Sequence, residues 1–203
     1  QRTPEERTTD PAAQEMLIRA DEIRVGTAFS RADDMTPCNV GGAGMCCKLC
    51  GMGPCRLTKE GHTGVCGATI ETVVARNFAR MVCAGASAHS DHGRGLAYTL
   101  LEVAEGKASD YAVRDVQKLM HVAGYLGVPT EDRTLDEIAH DVAEVALGEF
   151  GKVHGEVIYC QRAPEKRQEI WHEHRLTPRS IDREVVELMH RTHMGNDQDY
   201  EHI

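Results

Sequence analysis

The sequence predicts an all-α fold: a helical domain that carries one irregular Gly/Cys-rich loop. Three observations support this. Apolar residues recur at helical spacing over most of the chain, and no strand alternation persists anywhere. Between Gly41 and Gly67, eight glycines and most of the cysteines interrupt that periodicity. A chain of 203 residues makes one large or two small domains and buries a core without covalent staples. The pattern divides the chain into a tail and helix over 1–33, a Cys-rich loop over 34–67 and a helical domain over 68–203.

In chain order, residues 1–9 read as loose. Asp10 followed by Pro11 opens a helix whose apolar stripe, Met16, Leu17, Ala20 and Ile23, ends near Gly26. After the loop, Ile70, Val73, Val74, Phe78, Met81 and Val82 give a helix over about 69–84. Gly85 is expected to break or bend it before a second run over about 86–105, with Leu96, Leu100 and Val103 on one face. Further helices are expected over about 110–126, with Gly127 as stop, and over 135–150, where Thr134 and Glu137 form a capping box. Residues 151–163 have no clear period and admit a short strand. Helical patterns return over about 164–174 and 181–193, with Ser180 as N-cap and Gly195 as stop. The last residues, NDQDYEHI, carry no terminating signal, so the chain reads as the N-terminal portion of something larger.

The formal charge of −9, from 23 basic and 32 acidic residues, disfavours nucleic acid or an anionic membrane as partner. No apolar run approaches the roughly 20 residues of a membrane span. The opening QRTPEERTTD has no signal-peptide form, and a cytoplasmic chain is expected.

Six of the eight cysteines, Cys38, Cys46, Cys47, Cys50, Cys55 and Cys66, fall within 29 residues. A disulfide framework belongs to small secreted chains, so clustered reduced thiols point to metal. Cys83 and Cys160 stand apart and read as small buried hydrophobes. Cys47, Cys50, Cys55 and Cys66 suffice for one cubane iron–sulfur cluster. The loop's glycines let the chain wrap such a cluster and bring amides to the sulfurs, and Lys48, Arg56 and Lys59 are expected to stabilise its negative charge. A structural zinc site is the alternative, although zinc motifs usually pair one CxxC with another and this loop does not. Cys38 and Cys46 cannot complete a four-cysteine site within one chain. A two-fold dimer doubles them to four, so a cluster shared across the dimer axis competes with one buried and one free thiol.

His89 and His92 are three apart and share a helical face with Leu96, Leu100 and Val103. They are expected to point into packing, either as satisfied core histidines or as a proton relay with Ser87, Ser90 and Asp91 nearby. His172, His174, His190 and His193 read as surface residues.

The segments CCKLCGMGPCRL, GVCGATIETVVARNFARMVCAGASAHSDHGR and QRAPEKRQEIW…TPRSIDREVVELMHRTHMGNDQDYEHI resemble the N-terminal helical domain of the nickel–iron carbon monoxide dehydrogenases. The resemblance runs from about Cys38 to the end. It implies that Cys47, Cys50, Cys55 and Cys66 bind the [4Fe–4S] cubane called cluster B. It implies that Cys38 and Cys46, with their symmetry mates, hold cluster D across a homodimer. The seven-residue gap between them resembles the longer version of the family's pair, a resemblance that implies [4Fe–4S] rather than [2Fe–2S] for that cluster. His89 resembles the acid–base histidine beside the Ni-4Fe-4S cluster C, and His92 the next member of its proton path. A third family histidine is Gly95 here. The implied reaction is CO + H2O ⇌ CO2 + 2H+ + 2e−, with a ferredoxin-like electron acceptor. The family's cluster C ligands and catalytic lysine lie in downstream Rossmann-like domains that are not in this chain, so the 203 residues alone are expected to be inactive. A stand-alone iron–sulfur electron carrier or interaction module is the alternative.

Overall fold

The computed structural model describes residues 2–203. The fold is helical throughout, with one minimal two-stranded ribbon in the Cys-rich loop.

The N-terminal segment is more ordered than its composition implies. Helix α1 (Pro4–Arg7) sits in a complete capping box between Thr3 and Glu6, in a stretch expected to be loose. Pro4 presets the first turn, and four residues are too few for periodicity to register. Helix α2 (Pro11–Glu22) starts on the Asp10 cap as expected. A further helix, α3 (Ala28–Asp33), opens on Thr27, whose side chain accepts from the Ser30 amide.

The loop holds α4 (Asn39–Gly42) and the antiparallel strands β1 (Cys46–Cys47) and β2 (Cys55–Arg56). Their register sets Cys46 opposite Arg56 and Cys47 opposite Cys55. Backbone pairing continues as the Leu57 amide donates to Met45. Two residues per strand are too few to show alternation in a sequence.

Helix α5 (Ile70–Ala104) is a single 35-residue element, capped by the Thr69 hydroxyl. Gly85 does not interrupt it, contrary to expectation. A glycine costs a helix interior about 1 kcal/mol relative to alanine, and packing of α5 along its neighbours outweighs that. Those neighbours are α7 (Leu135–Phe150) and α10 (Ile181–Arg191). At Gly93 the contact is close enough that an added Cβ would touch the Phe150 ring at 3.6 Å.

Helix α6 (Val116–Leu126) begins later than its apolar pattern implies, because Asp115 caps it by accepting from the Lys118 amide. It ends at Gly127, whose φ of +70° closes a left-handed C-cap. Helix α7 opens on the expected Thr134–Glu137 box. The main core joins α6 and α7 through Leu119, Ala123, Val128, Ile138, Ala139 and Val142. Residues 151–163 form no strand; they hold the short α8 (Ile158–Gln161), pinned where the Ile158 amide donates to the Glu149 carboxylate. Helix α9 (Glu165–His174) follows. Ser180 precedes α10, but its buried hydroxyl makes no capping bond. No helix among the described residues is long and apolar enough to cross a membrane.

Candidate metal centre

The ribbon and the start of α5 bring the cysteines together. Thr69 caps α5 and Ala68 is buried under it, so the chain turns sharply at Gly67, where φ is +87°. This places Cys66 against the β1–β2 pair. Cys47, Cys50, Cys55 and Cys66 line one cleft, together with Gly64, Val73 and Arg76. Beneath it lies a small core of Leu57, Ala68 and Val73, against which Cys47, Cys55 and Cys66 pack. Gly53 closes the turn between the strands; a Cβ there would stand 3.1 Å from the Cys55 amide nitrogen and 3.3 Å from the Cys47 carbonyl oxygen.

Cys38 and Cys46 do not line this cleft. Cys38 is exposed at the start of α4, where its Sγ accepts from the Gly41 amide at 3.5 Å. The Gly41 and Val40 amides hold its thiol below the ordinary range, against a small effect of burial, and Arg56 adds to the lowering. Cys46 is half-buried. Asn77 of α5 donates to the Cys46 carbonyl at 3.1 Å and to the Gly44 carbonyl at 2.7 Å, tying the loop to the helix.

At Cys66, burial pushes the thiol up. The Ala68 amide, the Arg76 guanidinium and the Gln198 side chain together outweigh that and hold it below its ordinary value. Lys48, Arg56 and Lys59, the cations expected at this site, are all exposed. The buried cation is Arg76, which the cysteine pattern did not single out. Its signal is a charge inside an apolar helical stripe, three residues after Val73 and seven before Cys83. Among the described residues, no three His, Cys, Asp or Glu side chains converge closely enough to hold a single metal ion. The four cysteines line the cleft instead.

The tail is the other element missing from the sequence reading. Thr72 donates to the Gln198 carbonyl at 2.7 Å, Arg76 to the Asp197 carbonyl at 2.6 Å, and the Gln198 amide group to the Cys66 carbonyl at 3.2 Å. The closing residues therefore clasp the last cysteine of the loop.

His89 and His92 both lie exposed on α5, which corrects the expectation that they point into packing. They continue a stripe of Val74, Phe78, Met81, Val82 and Leu96, of which Phe78, Met81 and Leu96 are 68%, 73% and 71% exposed. The helical period holds, but among the described residues the stripe has no covering element. Ser87 is engaged by its own helix, donating to the Cys83 carbonyl at 2.8 Å, and the buried Ser90 hydroxyl has no partner. Cys83 and Cys160 are buried, and each thiol contacts a backbone carbonyl, that of Val185 and that of Pro178.

The sequence profile of the Prismane/CO dehydrogenase family matches residues 45–203. The chain belongs to that family. Carbon monoxide dehydrogenase 1 of Methanosarcina acetivorans is 44% identical over 202 residues, covering 98% of this chain and 32% of its own length. The carbon monoxide dehydrogenase/acetyl-CoA synthase subunit beta of Moorella thermoacetica is 40% identical, covering 96% of this chain and 30% of its own length. This chain thus spans about a third of the length of these curated relatives. Among solved structures, a nickel-free carbon monoxide dehydrogenase from Thermococcus sp. AM4 superposes with a TM-score of 0.83 at 42% identity, covering 96% of this chain and 32% of that one. An acetyl-CoA synthase/carbon monoxide dehydrogenase described with NiZn[Fe4S4] and NiNi[Fe4S4] clusters in its alpha subunits gives a TM-score of 0.82 at 39% identity, covering 97% of this chain and 30% of that one. The helical domain is therefore the fold of CO dehydrogenase family members.

Proposed function

We propose that this chain is the electron-exit segment of a homodimeric, cytoplasmic nickel–iron CO dehydrogenase catalysing CO + H2O ⇌ CO2 + 2H+ + 2e−. Cys47, Cys50, Cys55 and Cys66 hold a [4Fe–4S] cluster, B in the family's lettering. Cys38 and Cys46, with the same pair from a second copy, hold cluster D, as [4Fe–4S] or [2Fe–2S]. The Ni-4Fe-4S cluster C takes its ligands from sequence outside these 203 residues, which on their own do not turn over CO. A ferredoxin-like protein accepts the electrons.

The observation that carries this reading is the cleft itself: four thiols from three separate stretches of loop, backed by a buried guanidinium whose Nε has no partner. Thiolates are soft ligands that suit iron–sulfur clusters, and a buried N–H without an acceptor fits an anionic group in the cleft. When bound, such clusters store and pass single electrons. The chain's residues do the rest. The β1–β2 ribbon fixes Cys47 opposite Cys55, α5 anchors Cys66, and Cys38, oriented by the Gly41 amide, is exposed where a symmetry mate can reach its Sγ.

His89 acts as proton donor and acceptor toward the reacting carbon–oxygen group, and His92 takes the proton onward. Gly95 has no side chain to continue that path, so protons leave His92 through water or through groups on the covering domains. The apolar residues flanking both histidines form the rim against which those domains exclude water.

The test is metal and acid-labile sulfide analysis of anaerobically purified protein. About six irons per 203-residue chain, four in one cubane and half of a shared four, support the reading, as do about ten irons with one nickel in a longer protein. Zinc near one per chain without sulfide overturns it in favour of a structural site.

A further inference from the structure

We infer that Arg76 sets the electron affinity of the four-thiolate cluster, as a buried counter-charge aimed at Cys66 and held there by the tail. The inference rests on the reading that Cys47, Cys50, Cys55 and Cys66 hold an iron–sulfur cluster.

Arg76 is 1% exposed, yet no carboxylate pairs with it among the described residues. Its Nη2 donates to the Asp197 carbonyl at 2.6 Å, its Nη1 approaches the Cys66 Sγ at 3.7 Å, and its Nε is buried with no acceptor. A guanidinium cannot shed its charge at any ordinary pH, so burying it without an anion is strongly unfavourable. The cysteine sulfurs beside it are the groups in this cleft that can supply negative charge, as thiolates bound to a cluster. A neutral or merely apolar filling leaves the charge uncompensated; a four-thiolate cluster, reached through the Cys66 sulfur beside Nη1, compensates it.

Adding one electron to the cluster adds one negative charge, while no bond forms or breaks and Arg76 keeps its proton. A fixed cation at one sulfur therefore stabilises the reduced state more than the oxidised one. The effect is strong here because the guanidinium is shielded from water, whereas the exposed Lys48, Arg56 and Lys59 act through solvent and salt. The tail fixes the aim: Thr72 holds the Gln198 carbonyl and Gln198 holds the Cys66 carbonyl, and a guanidinium that rotated away from the thiol would give up its own bond to the Asp197 carbonyl next to them. Arg76 is thus a positioning residue that acts on the cluster through a ligand sulfur.

The experiment is a potentiometric titration of the intact protein, followed by electron paramagnetic resonance at this cluster, with iron and sulfide counted in each sample. In Arg76→Met, iron and sulfide stay at the wild-type level and reduction becomes at least tenfold less favourable, which is about 59 mV more negative for one electron. Arg76→Lys keeps the charge without the fork and recovers part of the shift. An unchanged midpoint in an iron-replete Arg76→Met protein overturns the inference. A second measurement covers the case in which Arg76→Met fails to load iron. Wild-type protein labelled with guanidino nitrogen-15 arginine shows nitrogen coupling to the reduced cluster by pulsed electron paramagnetic resonance, and Arg76→Lys abolishes it; no such coupling in the wild type overturns the inference by itself. Wild-type protein free of iron and sulfide overturns the cluster reading, and this inference with it.

Discussion

The geometry of the cleft makes a strong claim about one atom, the Cβ of a residue at position 53. Built on Gly53, it would lie 3.1 Å from the Cys55 nitrogen and 3.3 Å from the Cys47 carbonyl oxygen. Both are backbone atoms of the register pair that joins β1 to β2, so neither can swing aside as a flexible side chain would. Relieving such an overlap costs about 1–3 kcal/mol, which shifts the balance between formed and opened ribbon roughly five- to 150-fold. The cost falls locally, because the ribbon has two residues per strand and the main core between α6 and α7 contains none of it. Gly53→Ala is therefore expected to keep the helical circular dichroism and melting of the domain while losing up to about four irons per chain. Gly51→Ala is the control, since a Cβ there meets nothing within 4 Å. Iron and sulfide analysis with far-ultraviolet circular dichroism decides the matter. Full iron content in Gly53→Ala, or equal loss in Gly51→Ala, would refute the argument.

Three further outcomes are expected. In the intact protein, His89→Ala lowers CO-dependent dye reduction by roughly 10²–10⁴-fold with metal content unchanged; equal turnover removes His89 from proton transfer. Thr134→Ala removes the α7 capping box, in which the Thr134 hydroxyl accepts from the Glu137 amide at 3.3 Å, and costs about 1 kcal/mol, read as a lower urea midpoint at constant slope. Arg179 donates to both Glu184 and Glu187 and holds their carboxyls below the ordinary range. The stabilisation this lends α10 is full above the unfolded carboxylate value of about 4.3 and is lost as pH falls through the lower folded values. Hydrogen exchange across 179–191 should accelerate below about pH 4, and an Arg179→Met chain should lack that acid step.

What could be read from the sequence followed the scale of each signal. Long amphipathic stretches with caps, such as 135–150 behind Thr134, were legible because propensity, capping and burial agree there. The break expected at Gly85 does not form, because α10 contacts the helix before and after that point, at Cys83 and Arg94, α7 packs on its later turns at Gly93, and tertiary packing is invisible to a local period. Helices α1 and α3 escaped because capping alone organises stretches of four and six residues. At the cleft, the thiol ligand set could be proposed from spacing, whereas the cation beside it could not. Lys48, Arg56 and Lys59 are near in sequence and exposed; Arg76 lies ten residues beyond Cys66, and one helical face brings it back.

The histidines show the opposite failure, since a correct period led to a wrong environment. His89 and His92 share a face with Phe78, Met81 and Leu96, and an apolar stripe ordinarily means a core. Yet the buried face of α5 is the other one, built from Val73, Arg76, Ala79 and Cys83 and covered by the tail and α10. Helix α5 is thus amphipathic twice over. Its inner face closes the cysteine cleft, and its outer face presents two histidines in an apolar surround. At about 1.5 Å per residue, the 13 residues from Arg76 to His89 hold the buried charge and the nearer imidazole roughly 20 Å apart on one rigid rod. A single helix thereby fixes the separation between the electron-handling and the proton-handling ends of the proposed site. Domains packed on the outer face can cover the histidines without disturbing the thiols on the inner one.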